Sequence, residues 1–319
     1  MTSIPVILNP TAGGGRLLRH QPALSAAARA HDVELAWWLT EQRGDGERLG
    51  RRAATEGHPL VLAWGGDGTY NEVARGLLGS ATAMGVLPGG STSVLAYELG
   101  VLRPASRAIG PLLRGGDRAM RVGRSDRDDL VLLMLSAGVD AVVVEEAFRR
   151  RRHNDGKTGI AVQVARELVR RRPLPRVRVR TAAGVVEGGW AIVGNAGCYG
   201  GPFRATPGAD PFAPGFEVVI HTGAGRPAAA AFALALGLGC HLRRRDVQRQ
   251  FCDRAVIEPA VDGAQLPYQV DGDPILALPV TLEVDPRSLM IRMPERGGST
   301  PTSRPYSPLP VPVSVPVPE

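Results

Sequence analysis

Apolar runs, glycine turns and amphipathic stretches alternate in a regular order through the first third of the chain. Residues 4–8 form an apolar run that ends in Asn9-Pro10 and three glycines, as a strand ends in a turn. Residues 19–31 read as a helix, 34–39 as a second strand and 45–57 as a helix. Residues 60–63 then read as a strand, 71–78 as a helix and 83–87 as a strand, with a further helix from Thr92. This alternation predicts a parallel sheet covered by helices.

After about residue 123 the pattern changes. Short strand candidates at 130–135, 176–180, 189–193, 217–220, 255–258, 268–270, 280–284 and 289–292 are separated by turn residues. Arg and Val alternate strictly over 176–180, which predicts one buried face and one basic face. Many short strands predict an antiparallel sandwich. Helices are expected near 141–152, 158–171 and 227–243. From Gly297 the chain is rich in Ser, Thr, Pro and Val and reads as a disordered or polyproline-like tail. The expected organisation is an α/β nucleotide-binding domain over 1–123, a β-sandwich domain over 124–296 that takes the substrate, and a Pro-rich tail over 297–319.

Composition sharpens this picture in two ways. With 319 residues, 44% hydrophobic and 22% charged, the chain carries an ordinary globular core. The formal net charge is +7, and between Arg149 and Arg180 there are 12 basic residues against 2 acidic ones. Such a balance favours acidic partners. Lys157 is the sole lysine, so the arginine excess also fits a bias of coding. With 5% aromatic residues and no recognition motif, nucleic acid is not the expected partner. Cys198, Cys240 and Cys252 have no metal-ligand spacing, and neither do the six histidines. The N-terminus lacks signal-peptide architecture, and the longest apolar stretch, 227–240, is too short to span a bilayer. A cytoplasmic location is therefore expected.

The candidate chemistry lies in three glycine loops, each after a strand: Gly13-Gly14-Gly15, Gly65-Gly66-Asp67-Gly68-Thr69, and Gly89-Gly90-Ser91-Thr92. Parallel strands bring such loops to one carboxyl edge, where open α/β sheets bind ligands. Glycine lets backbone amides approach phosphate, and a helix N-terminus favours anions. A P-loop would add a lysine, and none is present there. Gly156-Lys157-Thr158 ends like one, but Arg151 occupies the place of its first glycine. A dinucleotide fingerprint does not fit Asn9–Gly15 either. Asp67 reads either as a turn aspartate bonded to its own backbone or as a carboxylate that holds Mg²⁺ beside phosphates.

Taken together, Asn9-Pro-Thr-Ala-Gly13, Gly65-Gly-Asp-Gly-Thr-Tyr-Asn-Glu-Val73 and Leu87-Pro-Gly-Gly-Ser-Thr92 resemble the diacylglycerol kinase catalytic-domain family, which includes sphingosine kinases and bacterial soluble lipid kinases. Asn195-Ala-Gly-Cys-Tyr-Gly-Gly-Pro-Phe203 and Gln269-Val-Asp-Gly-Asp273 continue the resemblance in order, over roughly residues 4–293. It implies an ATP- and Mg²⁺-dependent lipid kinase, peripherally associated with membrane, with an anionic surface met through 149–180 and a homodimer allowed. By similarity ATP contacts Asn9, Thr11, Ala12, Gly13, Thr40, Gly65, Gly66, Asp67, Gly68, Thr69, Asn71, Glu72, Gly90, Ser91 and Thr92. Asp67 would organise the metal-bound phosphates, and Asp273 would take the proton from the lipid hydroxyl, with Asp271 as a second candidate. Three positions depart from the family pattern. Asp273 stands for Glu, Ser93 for Asn, and Pro214-Gly-Phe-Glu217 for a turn whose lost acid helps hold a structural Mg²⁺ in bacterial relatives. An NAD kinase shares the Gly-Gly-Asp-Gly core, but no second Asn-Glu pair follows the third loop to hold a nicotinamide ribose. A non-catalytic nucleotide- or lipid-binding relative is the other alternative.

Overall fold

The computed structural model describes residues 2–90, 92–101, 104–150, 174–275 and 277–295. The helix expected at 158–171, the tail at 297–319 and Ser91 lie outside them. Among the described residues no helix is long and apolar enough to cross a membrane.

Strands β1 (Thr2–Leu8), β2 (Val33–Leu39), β3 (Leu60–Gly65) and β4 (Ala83–Pro88) pair in parallel in the order β2-β1-β3-β4. β3 and β4 are buried along their whole length, as strands covered on both faces must be. Register places Leu8 opposite both Leu39 and Trp64, and Gly65 opposite Pro88. The four strands therefore end level, and their loops emerge side by side.

Two helices here depart from the expected pattern. The helix after β3 runs Asp67–Leu77, four residues earlier than the expected 71–78. Gly66 is its extended N-cap, and the Gly66 carbonyl accepts the Tyr70 amide at 3.1 Å, so the aspartate belongs to the helix and not to a turn. The helix Ala105–Arg114 was hidden by Pro111 inside it.

The expected division at 123 also needs correction. Strand Leu289–Arg292 pairs in parallel with β4 and antiparallel with Asp117–Met120, completing a six-stranded mixed sheet. Leu289 and Ile291 are fully buried in the first core because they cover the edge that β4 would otherwise expose.

The second unit is a pair of six-stranded antiparallel sheets. Val179, Ile257 and Leu282 of one face Leu135, Val193 and Tyr268 of the other in a shared core. A smaller core on the outer side of the second sheet takes Val139 and Val143 of the helix Val139–Arg150 and Phe232 and Leu236 of the helix Gly225–Gly237. The predicted basic face of 176–180 is neutralised in part, since Arg178 pairs with Glu187 and Glu258, and Arg180 with Glu258.

The chain crosses between the units twice, near residues 121–123 and 285–288, and Asp285 fastens the crossings together. Its amide bonds the Val122 carbonyl at 2.9 Å, while its carboxylate accepts Arg124 at 2.5 Å and Arg287 at 2.9 and 3.0 Å. Burial alone would push this carboxyl up, but the hydrogen bonds from Arg287 and Arg124 overcome burial and hold it at about 2. A folded-state value below the ordinary carboxylate means stability present above about pH 4 and lost as pH falls toward 2. The expected contribution is roughly 2 kcal/mol. Urea midpoints of wild type and Asp285→Asn should differ at pH 5 and converge only as pH falls below about 2. A gap that does not close with acid would show that this charge is not what holds the crossing.

Candidate active site

The three glycine loops meet backbone to backbone. Gly13 has φ +60°, and a Cβ there would lie 2.5 Å from the Gly89 carbonyl oxygen. A Cβ on Gly90 would lie 2.7 Å from Gly66 Cα. The amides of Gly89 and Gly90 both donate to the Gly65 carbonyl at 2.8 Å. Close packing of loop on loop thus accounts for these glycines before any ligand is considered. The buried Tyr70 hydroxyl lies 2.7 Å from the Gly65 carbonyl and 2.8 Å from that of Leu87, bracing the ends of β3 and β4. Asn9 ties the first loop to the second: its amide donates to the Thr69 hydroxyl at 3.2 Å, and its carbonyl accepts the Thr11 amide and hydroxyl at 3.0 and 2.8 Å. Thr40 is buried at the end of β2, its amide bonded to Leu8.

Gly68 is different. It lies in the first turn of the helix Asp67–Leu77, is exposed, and has no positive φ. A Cβ added there meets nothing within 4 Å among the described residues. Glycine at a helical position costs about 1 kcal/mol relative to alanine, and neither backbone nor packing requires it here. What it leaves is open space above a helix N-terminus at the carboxyl edge of the sheet. Arg16, which sequence reasoning passed over, places its guanidinium on the first loop, donating to the Gly13 carbonyl at 3.2 Å.

The Asp67 carboxylate accepts the amides of Val94 at 2.9 Å and Leu95 at 3.0 Å, with the Thr92 hydroxyl at 3.5 Å. It therefore anchors the N-terminus of the short helix Val94–Glu98 to the second loop. Burial pushes its pKa above the ordinary carboxylate value, and the amides of Leu95 and Val94 only partly oppose this. Val94 and Thr92 share one oxygen and Leu95 takes the other, so an ionised Asp67 keeps about one acceptor site for something else.

Asn71 and Glu72, both expected among the ATP contacts, are used otherwise. Glu72 accepts the Gly46 amide at 3.0 Å at the start of the helix Asp45–Thr55. Asn71 joins the two units: its amide donates to the Leu130 carbonyl at 2.7 Å and to Asp271 at 3.1 Å.

Asp271 is also held by the amides of Leu132, Leu133 and Met134 at 2.8–3.0 Å. Those bonds break the predicted strand at 130–135 into Leu130–Val131 and Met134–Gly138, because the intervening amides point to a side chain and not to a neighbouring strand. Burial pushes the Asp271 carboxyl up to about 6 against the pull of these amides. With φ +52° at Asp271 and +93° at Gly272, the pair makes a two-residue hairpin turn that sets Val270 opposite Asp273. Asp-Gly is the usual pair for such a turn, a signal not taken from the sequence. Asp273 follows the turn, exposed, and accepts no hydrogen bond from the described residues. Since Asn71 stands one helical turn beyond Asp67, the bond to Asp271 sets the 271–273 turn against the start of the Gly-Gly-Asp-Gly helix.

Comparison with known proteins agrees with this fold. Residues 3–125 match the model of the diacylglycerol kinase catalytic domain, and residues 134–293 that of the YegS C-terminal NAD kinase beta sandwich-like domain. The chain belongs to the diacylglycerol kinase catalytic-domain family. A diacylglycerol kinase from Mycobacterium tuberculosis (strain ATCC 25618 / H37Rv) is 23% identical over 302 residues, 92% of this chain and 96% of that one. A diacylglycerol kinase from Bacillus subtilis (strain 168) is 31% identical over 122 residues, 37% of this chain and 40% of its own. A solved structure described as a diacylglycerol kinase from Bacillus anthracis str. Sterne shares the fold, with a TM-score of 0.65 at 16% identity, covering 92% of this chain and 96% of that one. Family membership makes this protein a phosphotransferase of the lipid-kinase kind.

As a lipid kinase it shows how its departures are accommodated. Ser93 sits at φ +48°, a left-handed conformation in which Asn is favoured, and its hydroxyl accepts the Gly90 amide at 3.1 Å. Glu217, in the segment that departs from the family's acidic turn, is fully buried and paired with Arg249, so a guanidinium supplies the countercharge there.

Proposed function

We propose that this lipid kinase transfers the γ-phosphoryl group of ATP, with Mg²⁺, to a hydroxyl of a diacylglycerol- or sphingosine-like lipid. The observation that carries the reading is Gly68, a helical glycine that this chain does not need for its own packing. A phosphate at the N-terminus of Asp67–Leu77 would come within reach of the backbone there only if no side chain stood in the way. Asp67 keeps an acceptor site for a metal, and among the described residues no three His, Cys, Asp or Glu side chains gather into a metal site. Such a poor donor set fits Mg²⁺, which is commonly held by one or two carboxylates together with substrate phosphates. Bound there, Mg²⁺ would supply charge neutralisation on the phosphates.

The remaining roles fall to the chain. Asp273, exposed and with no donor to its carboxylate among the described residues, accepts the lipid hydroxyl proton as the new O–P bond forms and the bond to the ADP oxygen breaks. Asp271 is not the base, because its acceptor sites are filled by four donors. A lipid substrate resides in a bilayer, so peripheral membrane association belongs to this reading; residues 151–173 of the basic segment lie outside the described residues.

The test is to incubate the protein with labelled ATP, Mg²⁺ and either diacylglycerol micelles, sphingosine micelles or NAD. Label in a lipid is expected; label in NADP, or in nothing, overturns the proposal. A companion variant, Gly68→Ala, is expected to raise the KM for ATP about tenfold while leaving stability unchanged or higher by up to about 1 kcal/mol. An unchanged KM would mean that no phosphate approaches this turn.

A further inference from the structure

Beneath the 271–273 turn lies a polar cluster that the proposed chemistry does not use. Ser136, Asp140 and Gln269 are at most 1% exposed, and Tyr199 reaches them from the 198–203 segment. Ser136 and Gln269 sit directly opposite each other on paired strands. The Gln269 amide nitrogen donates to the Ser136 hydroxyl at 2.7 Å and to Asp140 at 3.2 Å, and its carbonyl accepts the Gly272 amide at 2.7 Å. The hydroxyls of Ser136 and Tyr199 both donate to Asp140, one to each oxygen.

The fixed donors set the direction of the bonds from Gly272 to Asp140. The Gly272 amide can only donate, so the Gln269 carbonyl must face it. The Gln269 nitrogen then faces Ser136 and Asp140, and it too can only donate. Ser136, having accepted, must pass its own proton toward Asp140. Ser136 and Gln269 therefore both donate to Asp140 Oδ2, which must be an unprotonated acceptor. Burial pushes the Asp140 carboxyl up, opposed by Ser136, Tyr199 and Gln269, and it leaves the Tyr199 phenol well above its ordinary value and so protonated. A buried carboxyl that meets only neutral donors among the described residues is costly to ionise, and such groups concentrate at functional sites.

We propose that Asp140 is a positioning residue for phosphoryl transfer: through Gln269 it fixes the Gly272 amide, and with it the aim of the Asp273 carboxylate. This rests on the reading of Asp273 as the base. The four residues form one path from the start of the helix Val139–Arg150 to the residue before Asp273. Replacing Asp140 by Leu, which has no polar atom, removes the acceptor that Ser136 and Gln269 share, and the loss reaches the Gly272 amide through Gln269. A displacement of about 1 Å at a reacting group costs on the order of 100-fold in rate.

The experiment combines Asp140→Leu with Asp273→Ala in a kinetic cycle, using labelled ATP and diacylglycerol micelles, with hydrogen exchange of the Gly272 amide as a second readout. Asp140→Leu is expected to lower kcat per folded molecule between about 10- and 100-fold, to change the KM for ATP by less than about twofold, and to raise Gly272 exchange at least about tenfold. In the Asp273→Ala background it is expected to cause no further loss. Losses that multiply, or an unchanged Gly272 exchange, overturn the proposal. If Asp140→Leu does not fold, Gln269→Glu enters the same cycle, since it keeps the acceptor for Gly272 but turns the donor to Asp140 into an acceptor. Failure of both to fold also overturns it, because the cluster would then serve the fold alone. If Asp273→Ala keeps wild-type kcat, the base assignment fails by itself, and Gly272 exchange still decides whether Asp140 holds the turn.

Discussion

Asp67→Asn is expected to leave a folded protein whose phosphoryl transfer is slower by at least about 100-fold, the scale seen when one group that handles developing charge is removed. The substitution is nearly isosteric. One Asn oxygen still accepts either the Val94 or the Leu95 amide, but its NH₂ then faces the other amide, so one of two hydrogen bonds is lost. That costs about 1–3 kcal/mol, concentrated at the start of the short helix Val94–Glu98. The larger effect is on chemistry, because the negative charge that handles metal-bound phosphate is gone. Burial also raises the Asp67 pKa, so wild-type activity should fail on acidification at a higher pH than an ordinary carboxylate would set. Steady-state kinetics beside a thermal melt checks both parts. A variant that retains more than half the wild-type kcat would end the assigned role.

Removing Asp271 should act on stability first. Asp271→Gly keeps a residue at ease with φ +52° and deletes only the acceptor, so that backbone strain does not enter the comparison. Three backbone amides and the Asn71 side chain lose their partner together. At about 1–3 kcal/mol for each buried donor, and with water recovering part, a loss on the order of 4 kcal/mol is expected in urea unfolding. Asp271→Asn should lose about half as much and keep measurable kcat. The opposite result, wild-type stability with abolished turnover in Asp271→Asn, would identify Asp271 as the base and remove that role from Asp273.

Much of the α/β half was legible because its signals are local. Gly65-Gly66-Asp67-Gly68 after an apolar run announces a strand, a turn and a helix within a dozen residues. Even so, the helix start was misplaced, since Asp67 between glycines looks like a turn residue until the Gly66 carbonyl is seen to accept Tyr70. The sandwich was legible as a class but not as a pairing. Whether Leu289–Arg292 joins the second unit or returns to the first depends on which edge is open, and no local pattern encodes that. The site divides in the same way. Gly68 and Asp67 follow from a motif, whereas the engagement of Asn71 with Asp271 joins residues 200 positions apart. Asp140 did leave a trace: it is the lone charged residue in the apolar run 130–144, an unusual place for a carboxylate.

The returning strand Leu289–Arg292 also bears on how this protein is made. Strands β1 to β4 leave the ribosome early, but the edge of β4 has no neighbour until residue 292 has been synthesised. For that interval the nascent chain carries a fully apolar, unpaired strand edge beside a complete set of helices. Such an edge is open to other chains or to a chaperone, which makes translation speed and chaperone access, more than the finished fold, the determinants of soluble yield.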